Sequence, residues 1–573
     1  MRAVLLLRFL TFATIASSIG SCIGNLVVPA CRESEKQALL IFKQDLTDPS
    51  NRLSTWVSEE DSDCCRWAGV VCDNSTGHIH ELHLDSDWGD SNAFGGKLNP
   101  SLLNLTHLTR LNLRYNDFQG TQIPSFFGSL ESLTHLDLSQ ASFGGMIPES
   151  LSGLNYLESL ILMGNDFGGE VPESLGNLCN LIELDLSVNN FNGNGSEFLE
   201  RLAAYTKAIR LLKPIQYRNF RNWEELVVLE LENNNLSGNI PSSIGNLVWL
   251  RLLNLWNNNL SGELPLSMQN CSDLIVADLR GKSLVGSLPS WIGKCLLKLK
   301  ILNLRLNNLR GAIPDELCNL QILDLAHNNI SGTLPRCFNN FSAMVDSSDL
   351  NGVVVPFEFA YGSVLQRNID IMFLVTKGRE AEYGNILGLL TSMDLSANTI
   401  SGEIPEEITS LISLQNLNVS GNLLTGRIPS KIGYMGRLES LDLSMNKLSG
   451  EIPASMTRMT FLSHLNLSHN NLTGRIPEST QLQSLDQSGF LGNELCGAPL
   501  IKNCSASNVI PPTLEQERGY DLLEDKWFYL SLGLGFLVGF WGIFGSLLVN
   551  LPWSSIFARL LNSIVIKLHA VIV

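Results

Sequence analysis

The segment Leu438–Met459 reads LESLDLSMNKLSGEIPASMTRM. Leu441 and Leu443 flank Asp442 in the two-residue alternation of a short strand, which sends the leucines to one face and their neighbours to the other. Asn446, Gly450 and the pair Ile452-Pro453 follow in turn. The frame returns at a fixed interval: Leu395, Val419, Leu443 and Leu467 are each 24 residues apart, as are Asn398, Asn422, Asn446 and Asn470. Toward the N-terminus it continues as LTHLTRLNLRYNDFQGTQIP from Leu105 and LNYLESLILMGNDFGGEVP from Leu154. About fourteen such units lie between Ile79 and Pro477, one of them long and irregular near Asp85–Asn99. One unit cannot bury its own leucines, whereas stacked units share a continuous core. The expected fold is therefore an α/β right-handed solenoid with a parallel sheet along its concave face.

The unit is an LxxLxLxxNxLxGxIP leucine-rich repeat. Its Asn is placed to bond backbone groups that a curving coil leaves unpaired. Its Gly permits a backbone conformation barred to other residues, and its Ile-Pro closes the convex side, where no ladder donor is needed. With strands ~4.8 Å apart, fourteen coils present roughly 65 Å of concave surface, the scale of a protein or long peptide rather than a small metabolite. The period fails twice, at SEFLERLAAYTKAIRLLKPIQYRNFRN (residues 196–222), which is basic and helix-like, and at 338–386, which ends IMFLVTKGREAEYGNIL. The second insertion reads as an interaction island and the first as a degenerate or truncated stretch.

Composition narrows the function. The 573 residues carry 39 Lys and Arg against 56 Asp and Glu, a net charge of −17, which argues against a nucleic-acid binder. Only 17% are charged and 44% are hydrophobic, so part of the chain is expected in lipid. Met1 to about Gly24, with Arg2 and Arg8 before an apolar run, reads as a secretory signal peptide. Residues 527–549, WFYLSLGLGFLVGFWGIFGSLLV, have no charge and match a single transmembrane helix, with Trp527, Tyr529 and Trp553 as interfacial aromatics. The acidic segment before the span, and Arg559 and Lys567 after it, orient the chain as a type I plasma-membrane protein with its N-terminus outside. Ser531, Gly535 and Gly539 at i, i+4 and i+8 form a small-residue stripe on which a second membrane helix could pair. Any signal would leave the short cytosolic tail, 550–573, through a partner.

Twelve cysteines fit an oxidising compartment. The expected disulfides are Cys31–Cys64, Cys65–Cys72, Cys318–Cys337 and Cys496–Cys504, with Cys271–Cys295 as a further candidate; spacing alone does not determine pairing, Cys22 goes with the signal peptide, and Cys179 is left over. N-glycosylation sequons stand at Asn74, Asn104, Asn194, Asn235, Asn259, Asn270, Asn329, Asn340, Asn418, Asn466, Asn471 and Asn503, those off the concave face being the best acceptors.

The organisation is thus 1–24 signal peptide, 25–77 N-terminal cap, 78–193 repeats, 194–222 irregular insertion, 223–337 repeats, 338–386 island, 387–477 repeats, 478–526 C-terminal cap and acidic juxtamembrane segment, 527–549 span and 550–573 tail. Before the repeats stands CRESEKQALLIFKQDLTDPSNRLSTWVSEEDSDCCRWAGVVCD, Cys31–Asp73, with Ala38, Leu39, Leu40 and Phe42 on a helix, then Trp56 and the Cys64-Cys65 pair; after them stands FLGNELCGAPLIKNC, Phe490–Cys504. These segments and the span resemble plant leucine-rich-repeat receptor-like proteins, in the branch similar to ethylene-inducing xylanase receptors and apple-scab-type resistance proteins. The resemblance implies a cell-surface receptor without a kinase, which binds an extracellular, microbial protein or peptide on its concave face. It would signal in defence through adaptor and co-receptor kinases that carry leucine-rich repeats. It also implies a K-x5-Y co-receptor contact in the island, met here by Lys377 and Tyr383. Against the family pattern the chain has fewer repeats, a break near Gly193–Asn222, and a tail without the usual basic and aromatic run. The alternative is a non-signalling binding protein (a decoy, a wall-enzyme inhibitor or an inactive truncated paralogue) or a developmental co-receptor.

For the ligand we expect Arg114, Tyr115, Met163, Glu230, Glu232, Trp256, Arg280 and Arg305, where large or charged groups replace the usual Ser and Asn beside the strand leucines. Catalysis has no motif: HExxH, GxSxG and HRD are absent, and Gly281-Lys282-Ser283 lacks the upstream glycine of a phosphate loop. His78, His80 and His83 form HxHxxH but read as exposed strand residues, and Asp85, Asp87 and Asp90 lack the Gly and Glu of a calcium loop. No metal or cofactor is expected.

Overall fold

Strand alternation and the turn chemistry of each repeat together produce a stacked coil. The computed structural model describes residues 30–59, 62–87, 93–212, 226–281, 283–317, 320–337, 342–345, 354–358, 364–368, 372–383 and 389–504. The signal segment, the span with Ser531, Gly535 and Gly539, the tail, Cys318 and Asn340 lie outside these residues. Among the described residues no helix is long and apolar enough to cross a membrane.

The N-terminal cap begins with helix α1 (Glu33–Asp45), which buries Ala38, Leu39 and Phe42 as expected. Trp56 stacks on Trp67 at 5.7 Å between ring centroids and donates its indole N–H to the Ala68 carbonyl. Strand β1 (Val70–Cys72) pairs antiparallel with β2 (Ile79–His83) and opens a 15-stranded sheet. From β2 onward every pairing in it is parallel: β3 (Arg110–Asn112), β4 (His135–Asp137), β5 (Ser159–Ile161), β6 (Glu183–Asp185), β7 (Val228–Glu230), β8 (Leu252–Asn254), β9 (Val276–Asp278), β10 (Ile301–Asn303) and β11 (Ile322–Asp324) follow in order. The island contributes a hairpin, β12 (Met372–Thr376) and β13 (Arg379–Tyr383). The sheet resumes with β14 (Ser392–Asp394), β15 (Asn416–Asn418), β16 (Ser440–Asp442) and β17 (His464–Asn466).

From β3 onward each strand of the sheet sends its middle residue into the core; Leu111, Leu184, Leu253 and Leu441 are at most 1% exposed. Beneath them Phe118, Phe143, Phe167 and Phe191 stack in file at 4.7–6.3 Å. The Asn of the repeat does what its position requires. In one coil Asn446 accepts the Leu424 N–H at 3.0 Å and donates to the carbonyls of Val419 and Leu443 at 3.0 and 3.2 Å, joining two successive coils. The residue before it turns the chain through the left-handed region: Tyr115, Val188, Asn233, Asn257 and Met445 have φ between 52 and 57°. Gly450, at φ 81°, makes the next turn, where a side chain would also press on Arg427. The Pro of Ile-Pro then stands just before a short 3-10 turn on the convex side, as Pro453 does before Ala454–Arg458.

Neither insertion breaks the sheet. Strand β6 pairs directly with β7, Leu184 opposite Leu229, across the first insertion. The helix-like part of that stretch forms helix α2 (Gly195–Leu212), which buries Phe198, Leu199, Leu202 and Ala203 and packs against the convex turns Glu173–Asn177 and Ser242–Asn246. It replaces a 3-10 turn with a longer helix because its apolar side chains recur at helical spacing. Across the island β11 pairs with β14, Leu323 opposite Met393.

Disulfides Cys31–Cys64, Cys65–Cys72 and Cys496–Cys504 form as expected, and Cys337 is disulfide-bonded. The Cys271–Cys295 pairing is corrected: both are free thiols. Cys271 occupies the inward position that Leu247 and Leu296 hold in the neighbouring coils, and its buried sulfur faces the Ile244 carbonyl. Cys295 lies one residue earlier in the frame and faces Gln269. Burial pushes the Cys271 thiol up to about 12, which leaves it unreactive. Cys179 is free and exposed.

Candidate functional site

Because the sheet is in strict register, equivalent residues of successive strands form columns on the concave face. The first strand position carries Val228, Leu252, Val276, Ile301 and Ile322, each at most 4% exposed, an apolar stripe across β7–β11. The third position is a column of acids and amides: Asp185, Glu230, Asn254, Asp278, Asn303, Asp324, Asp394, Asn418 and Asp442. Two residues further on lie Arg114, Met163, Glu232, Trp256, Arg280 and Arg305, so six of the eight expected ligand residues share one place in the frame.

Glu230, Glu232, Trp256, Arg280 and Arg305 come together over four consecutive strands, β7–β10. The Arg280 guanidinium lies 4.3 Å from the Trp256 ring centroid, and its Nε is 3.0 and 3.1 Å from the Asp278 carboxylate oxygens. Clamped between a ring face and a buried acid, it is 5% exposed and preorganised. The Arg305 Nη1 reaches Asp394 at 3.3 Å and Asp324 at 3.7 Å, so one cation serves two carboxylates on adjacent strands. Burial first, and then the Asp394 charge, push Asp324 up to about 8 despite Arg305; Asp394 is also raised, chiefly by burial. Near neutral pH Asp324 therefore favours its protonated form. Burial and the Glu230 charge likewise raise Glu232 well above the usual carboxylate range. Asn303, fully buried between Asp278 and Asp324, has an amide nitrogen with no acceptor among the described residues.

The remaining expected residues stand apart. Met163 is separated from Glu232 by the coil of Ser187, and Arg114 and Tyr115 lie two coils earlier still, stacked on each other at 4.4 Å. The acid column went unread as a site, although its signal was present as the Asp of each LDL.

The island hairpin folds back onto this face. Leu374, 2% exposed, and Tyr383 join the same apolar cluster as Ile301 and Ile322. Lys377, at the hairpin turn, pairs with Glu439 at 3.0 Å, and Gly378 lies beside the His464 ring. The Tyr383 hydroxyl bonds to Thr376 at 2.5 Å. Both residues of the K-x5-Y element are thus held by contacts within the chain, and Lys377 remains exposed. On the opposite flank a cleft of ≈ 1120 Å³ lies among the Ile-Pro turns of the coils bounding the island, lined by Arg336, Glu403, Glu406 and Arg427.

Of the sequons, Asn74, Asn104, Asn194, Asn235, Asn259, Asn270, Asn329, Asn471 and Asn503 are exposed. Asn418 and Asn466 instead face the concave side, hydrogen-bonded to Asp394 and Asp442. His83 bonds to Glu81 at 2.7 Å, and the three histidines of HxHxxH do not converge.

A long parallel sheet on one face, short turns on the other and capped ends define a leucine-rich-repeat protein. Family models agree: leucine rich repeat N-terminal domain at 32–73, leucine-rich repeat region at 92–311, and leucine rich repeat at 319–341, 389–411, 413–435, 437–459 and 461–482. The chain is a leucine-rich-repeat protein whose homologues are plant receptor-like proteins. It is 44% identical over 126 residues to receptor-like protein EIX1 of Solanum lycopersicum, covering 20% of this chain and 12% of the relative. To receptor-like protein EIX2 of the same plant it is 44% identical over 123 residues, with the same coverage. Receptor-like protein 7 of Arabidopsis thaliana gives 40% over 118 residues, 20% of this chain and 11% of the relative. The matches thus span about an eighth of those relatives' length. Among solved structures, a TDR receptor superposes with TM-score 0.53 at 25% identity, covering 74% of this chain and 69% of that one. The plant peptide hormone receptor RGFR1 in complex with RGF2 gives 0.54 at 24%, covering 71% and 59%, a likeness of fold.

Proposed function

We propose that this chain is a cell-surface receptor-like protein without a kinase, anchored at the plasma membrane by residues 527–549 with its repeats outside. It binds an extracellular protein or peptide, of microbial origin, on the concave sheet and signals in defence through partner receptor kinases. The observation that carries the reading is the constellation over β8–β10, where partly exposed Trp256 and Arg305 stand beside clamped Arg280 on the concave face. Preorganised aromatic and Arg anchors are what a polypeptide interface uses. The partial identity to EIX1 and EIX2 supports the receptor class, and Lys377, exposed beside Glu439, remains available to a co-receptor. Immunoprecipitation of the full-length chain tests the reading, with Gly535→Leu/Gly539→Leu as comparison. Recovery of receptor kinases that falls in the variant supports it; intact protein that recovers no kinase overturns it.

A further inference from the structure

We infer that the first island hairpin, Val354–Glu358 paired with Val364–Asn368, docks on the concave face over β7–β9 and covers Val228, Leu252 and Val276. These three begin a continuous row. Val228, Leu252, Val276, Ile301 and Ile322 hold equivalent places on five neighbouring strands. A row of this kind on an open sheet would leave an apolar strip in water, which soluble surfaces avoid. Yet Val228 is 0%, Val276 2% and Leu252 4% exposed. At Ile301 and Ile322 the cover is visible, because Leu374 and Tyr383 of the β12–β13 hairpin pack into the same cluster. Among the described residues the only other member from off the repeats is Leu390, just before β14. None of the three belongs to the coils of β7–β9.

The path of β12–β13 says what lies next. Its turn sits against β16 and β17, where Lys377 meets Glu439 and Gly378 lies beside His464. Val375 then lines a small void with Ser392 and Met393 of β14, and Leu374 and Tyr383 reach the apolar row that starts at β11. The hairpin thus runs against the strand order, and the chain entering it at Met372 comes from the side of β10 and β9. Residues 369–371 join Asn368 to Met372, a reach of at most roughly 14 Å. That is about three strand spacings, which carries the first hairpin over β9, β8 and β7. Its register supplies a matching face. Phe357 pairs with Leu365 and Val355 with Arg367, so Val355, Phe357 and Leu365 share one face, while Glu358, Gln366 and Asn368 fall on the other. A two-stranded hairpin is marginal alone in water, and docking removes both that weakness and the bare strip. The link 213–225, which also enters β7, carries Lys213, Arg218, Arg221, Glu224 and Glu225 and suits an uncharged strip less well.

Docked there, the hairpin withholds the first-position row from any ligand and leaves Trp256 and Arg305, two residues beyond their strands, at its margin. The docking does not depend on the receptor reading, and its test needs neither ligand nor kinase. In the full-length chain in detergent, Phe357→benzoylphenylalanine should photo-crosslink to residues 227–278, and Gln366→benzoylphenylalanine, on the opposite face, should not. Phe357→Asp/Leu365→Asp should accelerate hydrogen exchange over 354–368 at least about tenfold while the strands of the sheet keep their protection. Crosslinks from position 357 that miss 227–278, equal crosslinking from positions 357 and 366, or unchanged exchange in Phe357→Asp/Leu365→Asp would each overturn the docking. Crosslinking of 227–278 from a probe at Tyr217 instead of 357 would assign the strip to the other link and overturn it as well.

Discussion

Val188 turns through φ 52° in the coil of β6, where the neighbouring coils place Asn233 and Asn257. A β-branched residue is poorly suited to this region, and Asn tolerates it. Val188→Asn should therefore raise stability by about 1 kcal/mol, read as a higher thermal midpoint. The opposite is expected at Asn446, whose side chain satisfies the Leu424 N–H and two carbonyls. Asn446→Ala should cost about 2–4 kcal/mol, since each orphaned buried group costs about 1–3 kcal/mol. Urea unfolding followed by the loss of local hydrogen-exchange protection around β15–β17 measures it. These two adjacent positions differ in how far a sequence discloses them. The Asn recurs because its chemistry is required; the residue before it is variously Tyr115, Val188, Leu306 or Met445, because neighbouring coils impose the conformation whatever side chain stands there.

At the scale of elements, the two departures from period were visible but their destinations were not. Amphipathic spacing in SEFLERLAAYTKAIRLL disclosed a helix, yet only the adjacent convex turns show that it belongs to the outer layer of the solenoid. The island hairpin is positioned by residues far along the chain, such as Glu439 against Lys377, which no local pattern encodes. Leu374 is its buried anchor. Leu374→Asp should release the hairpin, so that hydrogen exchange accelerates over residues 372–383 while the strands of the sheet keep their protection. If 372–383 stays protected, another contact holds the hairpin. The failed Cys271–Cys295 pairing belongs to this scale too. A one-residue offset in the frame separates a core position from a half-buried one, and counting cysteines does not detect it.

For the molecule as a whole, the concave carboxylates set a pH response. Asp324 moves from 3.8 to about 8 on folding, so between those values the native state binds protons that the unfolded chain has released. Stability from this source is present at low pH and falls as pH rises from about 4 to about 8. His135 acts oppositely. Burial, with Arg110 nearby, depresses it from 6.5 to about 3, and stability is lost as pH falls below about 6.5. The two are separated by substitution: Asp324→Asn should flatten the decline in thermal midpoint between pH 5 and 8. An unchanged slope would show that Asp324 titrates normally. The overall architecture was legible because a 24-residue period specifies it many times over. The site was legible only in its large side chains, since the acids beneath them are ordinary repeat residues that acquire their properties from stacking.

The direct pairing of β6 with β7 over α2, and of β11 with β14 over the island, has a bearing on how such a chain can change. Material added or removed between strands leaves every surviving coil in phase with its neighbours. Recombination between related genes at coil boundaries can therefore shuffle blocks of the concave face, or install a new flap, without a compensating change elsewhere. Novelty on that surface then arises by rearranging modules, with the scaffold tolerating each trial as it stands.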